Sequence, residues 1–510
     1  MSASPTIRTS RGTTQYAYVP VGALGALKLQ QETSPLPNSA ISYAYDALGR
    51  LASRTVAGAG AESFGYDAVG RLTSHASDLG AFALSYLGQT NQIAARQLAN
   101  TTLETTWSYL PNSGDRRLAG IDNTGLSSGQ YSNYTYTTTP ENLITAIAET
   151  SDSAAVYPSA GQQTASYNNL NQLTNLSGQA LTFDADGNLL SDGQRNYSWD
   201  AESRLVGITY PGRPGKQTSF AYDGLSRRTA ISSTPAGGSS AVTTSYIWCG
   251  GSRPCQARNA SGAITREYYS EGEYVPGSPA QSYYYGSDQI GSVRRVFVSA
   301  SSAPAYSYDP YGNALQTTSP VTDFDYAGMF YNSDSGLYLT QYRVYDPIAS
   351  RWLSRDPLGE GSDPAANLYH YVQGDPVGFV DPLGLACTPG GIGYNSKIQR
   401  QMATRGWTPE QIDEAARSGN RIDAINKATG APATRYVNPT TQQSVVIDNT
   451  TNEVIQVGGP DFSHGPESGD VPGAQMRPPP TADVPAAPEP APSVPESVPD
   501  VPDMPIIVPE

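Results

Sequence analysis

The sequence predicts a mainly β protein: a long repetitive β region, a small α+β domain after it, and a disordered Pro-rich tail. Three observations predict this. An aromatic–Asp turn motif recurs along most of the chain. Gly (50), Tyr (34) and Pro (40) are abundant while charged residues make up only 15%, a balance that suits short strands and many turns better than helices. The composition then changes within a few residues of the stretch Asp356–Leu385, DPLGEGSDPAANLYHYVQGDPVGFVDPLGL. That stretch closes the repeats and marks the start of a separate C-terminal module.

At 510 residues the chain holds more than one domain. A net charge of −15 argues against a general nucleic-acid-binding surface, while leaving room for a local RNA site in one module. No apolar run is long enough to span a bilayer. The opening MSASPTIRTSRGTTQYAYVP lacks the apolar run of a signal peptide, so no membrane insertion by this segment is expected. Three cysteines are too few for a disulfide framework. IWCGGSRPC permits a Cys249–Cys255 hairpin bridge, but two free thiols are the favoured reading.

Residues 1–40 read as irregular. The repeat then begins with YDALGRL at Tyr45 and YDAVGRL at Tyr66. Looser copies follow: YNNLNQL at Tyr167, FDADGNL at Phe183, WDAESRL at Trp199, YDGLSRR at Tyr222 and YDPYGNA at Tyr308. Spacings of roughly 16–23 residues, with larger gaps, indicate a repeat architecture. In each unit the aromatic ends one strand, and the Asp carboxylate caps a turn by accepting a backbone N–H two residues on. Gly supplies a positive φ, and Arg-Leu opens the next strand. One hairpin is not stable alone, but a row of them buries its edges in its neighbours. On turn chemistry alone every Tyr and Asp here is structural.

These residues resemble the tyrosine–aspartate (YD) repeat of rearrangement hotspot (Rhs) proteins, also found in insecticidal toxin-complex subunits and teneurins. The resemblance covers residues 41–385 and implies a spiral β-shell wound around a C-terminal cargo. Three later stretches strengthen it: YYYGSDQIGSVRRV at Tyr283, YNSDSGLYLTQYRVYDPIASR at Tyr331, and the core ending DPLG…NLYHYVQGDPVGFVDPLGL. In the second, Ser335 and Ser350 stand where the family has Thr and Gly. Tyr285 stands where His is usual. Family members carry a longer repeat region with N-terminal delivery domains. This chain begins inside the repeats, which reads as a C-terminal fragment or an orphan cassette.

Two Asp-Pro turns, at Asp356 and Asp381, frame the core ending. Asp-Pro is ordinary turn chemistry, and both carboxylates have a purely structural reading. The resemblance implies another: the family cuts itself after the final Leu, here between Leu385 and Ala386. Asp356 and Asp381 would form an aspartyl-protease-like pair, with Arg355 as neighbouring charge partner. Two carboxylates held close cannot both ionise freely; one activates water while the other polarises the carbonyl.

Residues 386–395 read as linker and 396–465 as the α+β domain. Lys397–Arg405 has helical spacing. A second helix starts at Thr408 as N-cap, with Pro409 at the first helical position and Gln411 completing a capping box, and ends near Gly419. Strands are predicted at Thr434–Val437, Ser444–Asp448 and Val454–Val457, the last two joined by a turn at Asn449–Asn452. The module has no metal-spaced Cys pair, no phosphate loop and a single His, His464, so no metal or cofactor is expected. Composition alone leaves it a small domain that binds something.

KIQRQMATRGWT, PATRYVN, SVVIDN and EVIQV resemble, in order and spacing, the ribonuclease domain of the colicin E-five type. That family cuts tRNA anticodon loops without a catalytic His, using Lys and Arg; the matching positions are Lys397 and Arg405. Arg405 suits bidentate phosphate stabilisation, and Lys397 can act as base if its pKa is lowered. Arg400, Lys427 and Arg435 are the substrate-binding candidates. Trp407 and Tyr436 are candidates for stacking on a base, although core packing is the commoner role for such a Trp. The tail from residue 466 is acidic and Pro-rich, hence disordered or extended.

The resemblance thus implies an Rhs-type antibacterial toxin with tRNA as target. Its partners would be a cognate immunity protein and secretion machinery, and its site of action the target-cell cytoplasm. A repeat-rich surface or adhesion protein with a non-catalytic C-terminal binding module is the alternative.

Overall fold

The computed structural model describes residues 6–9, 12–140, 142–154, 156–250, 253–298, 304–315, 320–357, 359, 367–385, 388–389, 420–425, 432–437, 444–448 and 454–458. Among these there is no α-helix, and almost every element is an antiparallel strand paired to its sequence neighbour. A 13-stranded sheet runs from Thr6–Thr9 to Ile144–Ser151, and a 12-stranded sheet from Thr182–Phe183 to Val293–Phe297. A three-stranded sheet lies between them in sequence, and a four-stranded one spans Phe330 to Trp352.

The turns explain the repeat. In YDALGRL the N–H of Asp46 donates to the Arg50 carbonyl, while Asp46 Oδ1 accepts the N–H groups of Leu48 (2.9 Å) and Arg50 (2.8 Å). Asp67, Asn168, Asp184, Asp200, Asp223 and Asp309 close the same five-residue loop. So do Asn259 and Asp288, two units that lack the Tyr-Asp signature. The fourth position has positive φ: 74° at Gly49, 89° at Gly70, but also 57° at Ser203 and 58° at Ser226.

The Arg and Tyr of the motif connect successive units. The Arg50 guanidinium lies 4.7 Å over the Tyr66 ring and donates to the Asp67 carbonyl at 3.0 Å. Arg71 repeats this over Tyr86 at 4.6 Å. Four Tyr hydroxyls donate back to a carbonyl of an earlier unit: Tyr45 to Leu29, Tyr66 to Leu51, Tyr86 to Leu72 and Tyr222 to Leu205.

Three expectations are corrected here. Residues 1–40 are not irregular: Gly12–Tyr18 and Leu29–Thr33 are strands of the 13-stranded sheet. Their connecting turn uses Gly22 and Gly25 at positive φ rather than a Tyr-Asp motif, so the repeat signature missed them. Cys249 and Cys255 form a disulfide across the hairpin of Val242–Trp248 and Pro254–Arg258, with Cα atoms 5.7 Å apart. The C-terminal module has a fourth strand, Asn420–Ile425, pairing with Pro432–Val437. Ile422 and Ala424 alternate inward on it, a pattern too short to stand out. The strands at Ser444–Asp448 and Val454–Gly458 pair as expected. The two expected helices, the Asn449–Asn452 turn and the tail lie outside the described residues.

The main core is aromatic. It joins the 12-stranded sheet to the segment between Tyr306 and Val380 that packs on it. At its centre Tyr345 and Tyr371 are 4.3 Å apart and Trp352 meets both rings edge-on. The 13-stranded sheet has only small apolar clusters, among them Ile121, Tyr134 and Tyr136. It meets the 12-stranded sheet along a seam rich in polar contacts. Arg227 pairs with Glu32 at 3.0 Å, Arg54 donates to the Cys249 carbonyl, and His75 bridges Glu62 and Glu271 at 3.1 Å each.

Candidate functional site

The short strand Phe379–Val380 delivers Asp381 into the core, and the chain turns back through Pro382, Leu383, Gly384 and Leu385. It then pairs antiparallel with its own continuation, Val380 opposite Thr388. The Leu385–Ala386 bond therefore belongs to the connection of a small hairpin; Ala386 itself lies outside the described residues. The linker expected over 386–395 thus contains a two-residue strand, Thr388–Pro389.

Asp381 shapes this turn. Its Oδ1 accepts the N–H groups of Gly384 and Leu385, both at 2.8 Å. Gly384 has φ 77°, and a Cβ there would meet Thr340 Oγ1 at 2.4 Å, so both the backbone and the space require glycine. Asp381 is 3% exposed and Leu385 1%. Leu385 is thus a locked core residue at the start of the hairpin connection.

The two carboxylates singled out by the sequence do converge. Arg343 Nη2 lies 3.0 Å from Asp381 Oδ2 and 3.0 Å from Asp356 Oδ2. The two oxygens are therefore no further apart than twice that distance. Arg343 Nε donates to the Gly384 carbonyl, and its guanidinium stacks on Trp352 at 4.4 Å. Burial pushes the Asp381 carboxyl above its ordinary range, and Arg343 with the two N–H donors pulls the other way without fully offsetting it.

Arg355, expected as the charge partner, does not hold this place. It is exposed and its stem lies against Gly187. The bridging cation is Arg343, which sequence reasoning missed. A signal was present: a single Arg inside the aromatic run LYLTQYRVYD has to find an acid partner if it is buried.

In the C-terminal module, Lys397, Arg400, Arg405, Trp407 and Lys427 lie outside the described residues. Arg435 lies on Pro432–Val437, opposite Ile422 and Val446, and is 0% exposed. That burial separates it from an open phosphate contact. Tyr436 alternates to the other face and is half-buried.

Known proteins fit this arrangement. The teneurin YD-shell family matches residues 127–377, the RHS repeat family residues 45–81, and the Colicin E5 ribonuclease domain residues 394–463. The tRNA3(Ser)-specific nuclease WapA of Bacillus spizizenii is 32% identical over 231 residues, covering 43% of this chain and 10% of WapA. The double-stranded DNA deaminase toxin A of Burkholderia cenocepacia is 28% identical over 247 residues, covering 41% of this chain and 17% of that protein. The chain thus spans less than a fifth of these relatives. Among solved structures, the TcdB2-TccC3 protein without its hypervariable C-terminal region superposes with a TM-score of 0.52 at 18% identity, over 74% of this chain and 23% of that one; it shares the fold. The YD-repeat sheet system thus carries matches to the teneurin YD-shell and RHS repeat families, and the module after the DPLGL turn with its two converging carboxylates carries a match to the Colicin E5 ribonuclease domain.

Proposed function

We propose that this chain is an Rhs-type antibacterial toxin whose β-shell carries and cuts free a tRNA-cleaving endoribonuclease. One observation carries the reading: the Colicin E5 ribonuclease match at 394–463 begins shortly after the turn at which Asp356 and Asp381 converge on Arg343 and Asp381 holds the Leu385 N–H.

For release, water is activated by the ionised member of the Asp356–Asp381 pair and attacks the Leu385 carbonyl carbon. The C–N bond to Ala386 breaks, and the leaving amine takes a proton. For the cargo, Lys397 removes the proton of a ribose 2′-hydroxyl in the anticodon loop. The 2′-oxygen attacks phosphorus, the bond to the 5′-oxygen breaks, and a 2′,3′-cyclic phosphate forms. Arg405 neutralises the charge that builds on the phosphoryl oxygens. Arg400 and Lys427 contact the phosphates. A cognate immunity protein protects the producer, secretion machinery delivers the toxin, and it acts in the cytoplasm of the target cell.

The test is expression of residues 386–510 in a bacterium beside a Lys397→Ala/Arg405→Ala double variant, with tRNA resolved on a denaturing gel. Half-length tRNA fragments from the wild type only are expected. Intact tRNA and healthy cells in both cultures would sink the reading and favour a non-catalytic binding module. In the full chain, Asp381→Asn should leave a single 54.0 kDa species; normal cutting in that variant would remove Asp381 from the reaction.

A further inference from the structure

Arg343 has no role in the function proposed so far, yet it is the side chain on which that site is built. It is buried, and each of its nitrogens is engaged. Nη2 bridges Asp356 and Asp381, Nε donates to the Gly384 carbonyl, and Nη1 points to the Leu368 carbonyl at 3.4 Å. Its own backbone is fixed by Thr340, whose Oγ1 donates to the Arg343 carbonyl at 2.8 Å. Trp352 closes the face of the guanidinium.

This geometry ties Asp356 to the Asp381–Gly384 turn, which Asp381 Oδ1 already closes on the Gly384 and Leu385 N–H groups. Asp356 comes from the turn after Trp352, Asp381 from the final hairpin, and Gly384 immediately precedes the residue whose carbonyl would be attacked. A planar guanidinium fork is the side chain that can hold two carboxylates and one carbonyl at fixed angles; an ammonium is a point charge and cannot. We infer that Arg343 is the positioning residue for self-cleavage: it sets the spacing and charge of the Asp356–Asp381 pair and, through the Gly384 carbonyl, fixes the peptide immediately before the Leu385–Ala386 bond that is cut. This rests on the self-cleavage reading above.

Removing a cation from between two close carboxylates makes the second ionisation harder. A reaction that needs one ionised and one protonated carboxylate then moves to higher pH. The experiment follows appearance of the cut fragment from the full chain, made by cell-free translation and shifted across a pH series from acid to alkaline. Four versions are compared: wild type, Arg343→Gln, Arg343→Lys and Asp381→Asn. Resistance of the 12-stranded region to limited proteolysis confirms folding.

Arg343→Lys keeps the charge and loses the fork. Its cutting should slow by roughly ten- to a hundredfold with the pH profile close to wild type. Arg343→Gln should be slower still, with its remaining activity displaced to higher pH. Wild-type rates in Arg343→Lys overturn the inference. So does an Arg343→Gln chain that is slower but keeps the wild-type pH profile, since that is what a purely structural role produces. If Arg343→Gln does not fold or does not cut at any pH, the rate of Arg343→Lys decides alone. Failure of the cleavage reading itself looks different: Asp381→Asn then cuts normally whatever the Arg343 variants do.

Discussion

The two large sheets are built from the same turn motif and stabilised in different ways. The 12-stranded sheet lays its inner face on an aromatic core, where Tyr345, Trp352 and Tyr371 are buried together with the site at Asp381. The 13-stranded sheet has no comparable core and depends on the ladder from unit to unit: Asp capping the turn, Arg reaching over the next Tyr, Tyr reaching back to an earlier carbonyl. It is then joined to the other sheet by buried charges together with two small apolar clusters, one around Phe82 and Tyr284 and one around Ile41 and Ile247. A repeat motif fixes local geometry equally well in both places. Global stability depends on what covers the sheet: a large aromatic core covers one, and only small apolar clusters cover the other.

That difference predicts where damage spreads. Trp352→Ala removes a side chain that touches both Tyr345 and Tyr371 and closes the face of Arg343. A loss of about 3–5 kcal/mol is expected, with hydrogen exchange rising across the 12-stranded sheet and self-cleavage lost. The 13-stranded ladder should keep most of its protection. Equal loss of protection in both sheets would show that they form one cooperative unit and would dissolve the contrast.

The seam responds to pH. Burial alone would push the His75 imidazole down, but Glu271 and Glu62, one on each ring nitrogen, raise it to about 9. Arg54 bonds Glu62, Arg96 faces Glu271, and the Tyr269 ring lies beside the imidazole. A His raised from an ordinary value of 6.5 contributes stability that is fully present below that value and is lost as pH rises through about 9. The contribution is on the order of 3 kcal/mol. Glu62 and Glu271 are also costly to bury, yet their bonds to His75 hold both below the usual carboxylate range. Their share is present above that range and lost in acid. The seam is therefore strongest between the two limits. Hydrogen exchange in Ala61–Tyr66 and Leu72–Ser77 should accelerate above pH ~9 while the core around Tyr345 stays protected. His75→Gln should abolish the alkaline acceleration by loosening the seam at every pH. An alkaline response unchanged in that variant would assign it elsewhere.

Legibility in the sequence followed the same division. The turns were readable because a five-residue loop writes its needs locally: Asp for the cap, Gly or a tolerated Ser at positive φ, Arg for the neighbour. The convergence of Asp356 and Asp381 is readable only through family resemblance, which points to Arg355 where the structure has Arg343. Arg355 is adjacent to Asp356 in sequence, whereas Arg343 reaches it from the connection between the strands Leu337–Leu339 and Val344–Asp346. The seam was not legible at all, because His75 and Glu271 are 196 residues apart and each sits in an unremarkable strand context. The strands before residue 40 escape the motif because they use another turn, and the fourth strand of the C-terminal module because its alternation, Ile422 and Ala424, is too short to stand out.

The ladder itself gives a smaller effect. Arg50→Ala removes the cation over Tyr66 and the bond to the Asp67 carbonyl. At a partly exposed site this costs about 1 kcal/mol. The matching change in the other sheet, Arg204→Ala, removes the cation 5.1 Å over Tyr222. Because that sheet has the aromatic core behind it, local protection should fall less there than at Arg50. Equal local losses would show that the ladder matters as much in the covered sheet as in the uncovered one.

The smallest effect has the opposite sign. Ser203 and Ser226 stand at the turn position where Gly49 and Gly70 stand, with φ of 57° and 58°. The left-handed region disfavours any residue with a Cβ by about 1 kcal/mol, and glycine removes that strain while adding some entropy to the unfolded chain. Ser203→Gly and Ser226→Gly should each stabilise the 12-stranded sheet by roughly 0.5 kcal/mol, read as a higher denaturant midpoint. The Ser203 hydroxyl is an acceptor for Asn188 Nδ2 at 3.2 Å, whereas no such neighbour bond is seen for Ser226 among the described residues. Ser226→Gly should therefore gain more than Ser203→Gly. The reverse order would mean that the turn's strain is set by its side-chain neighbours rather than by φ, and the motif would then be a packing code before it is a backbone code.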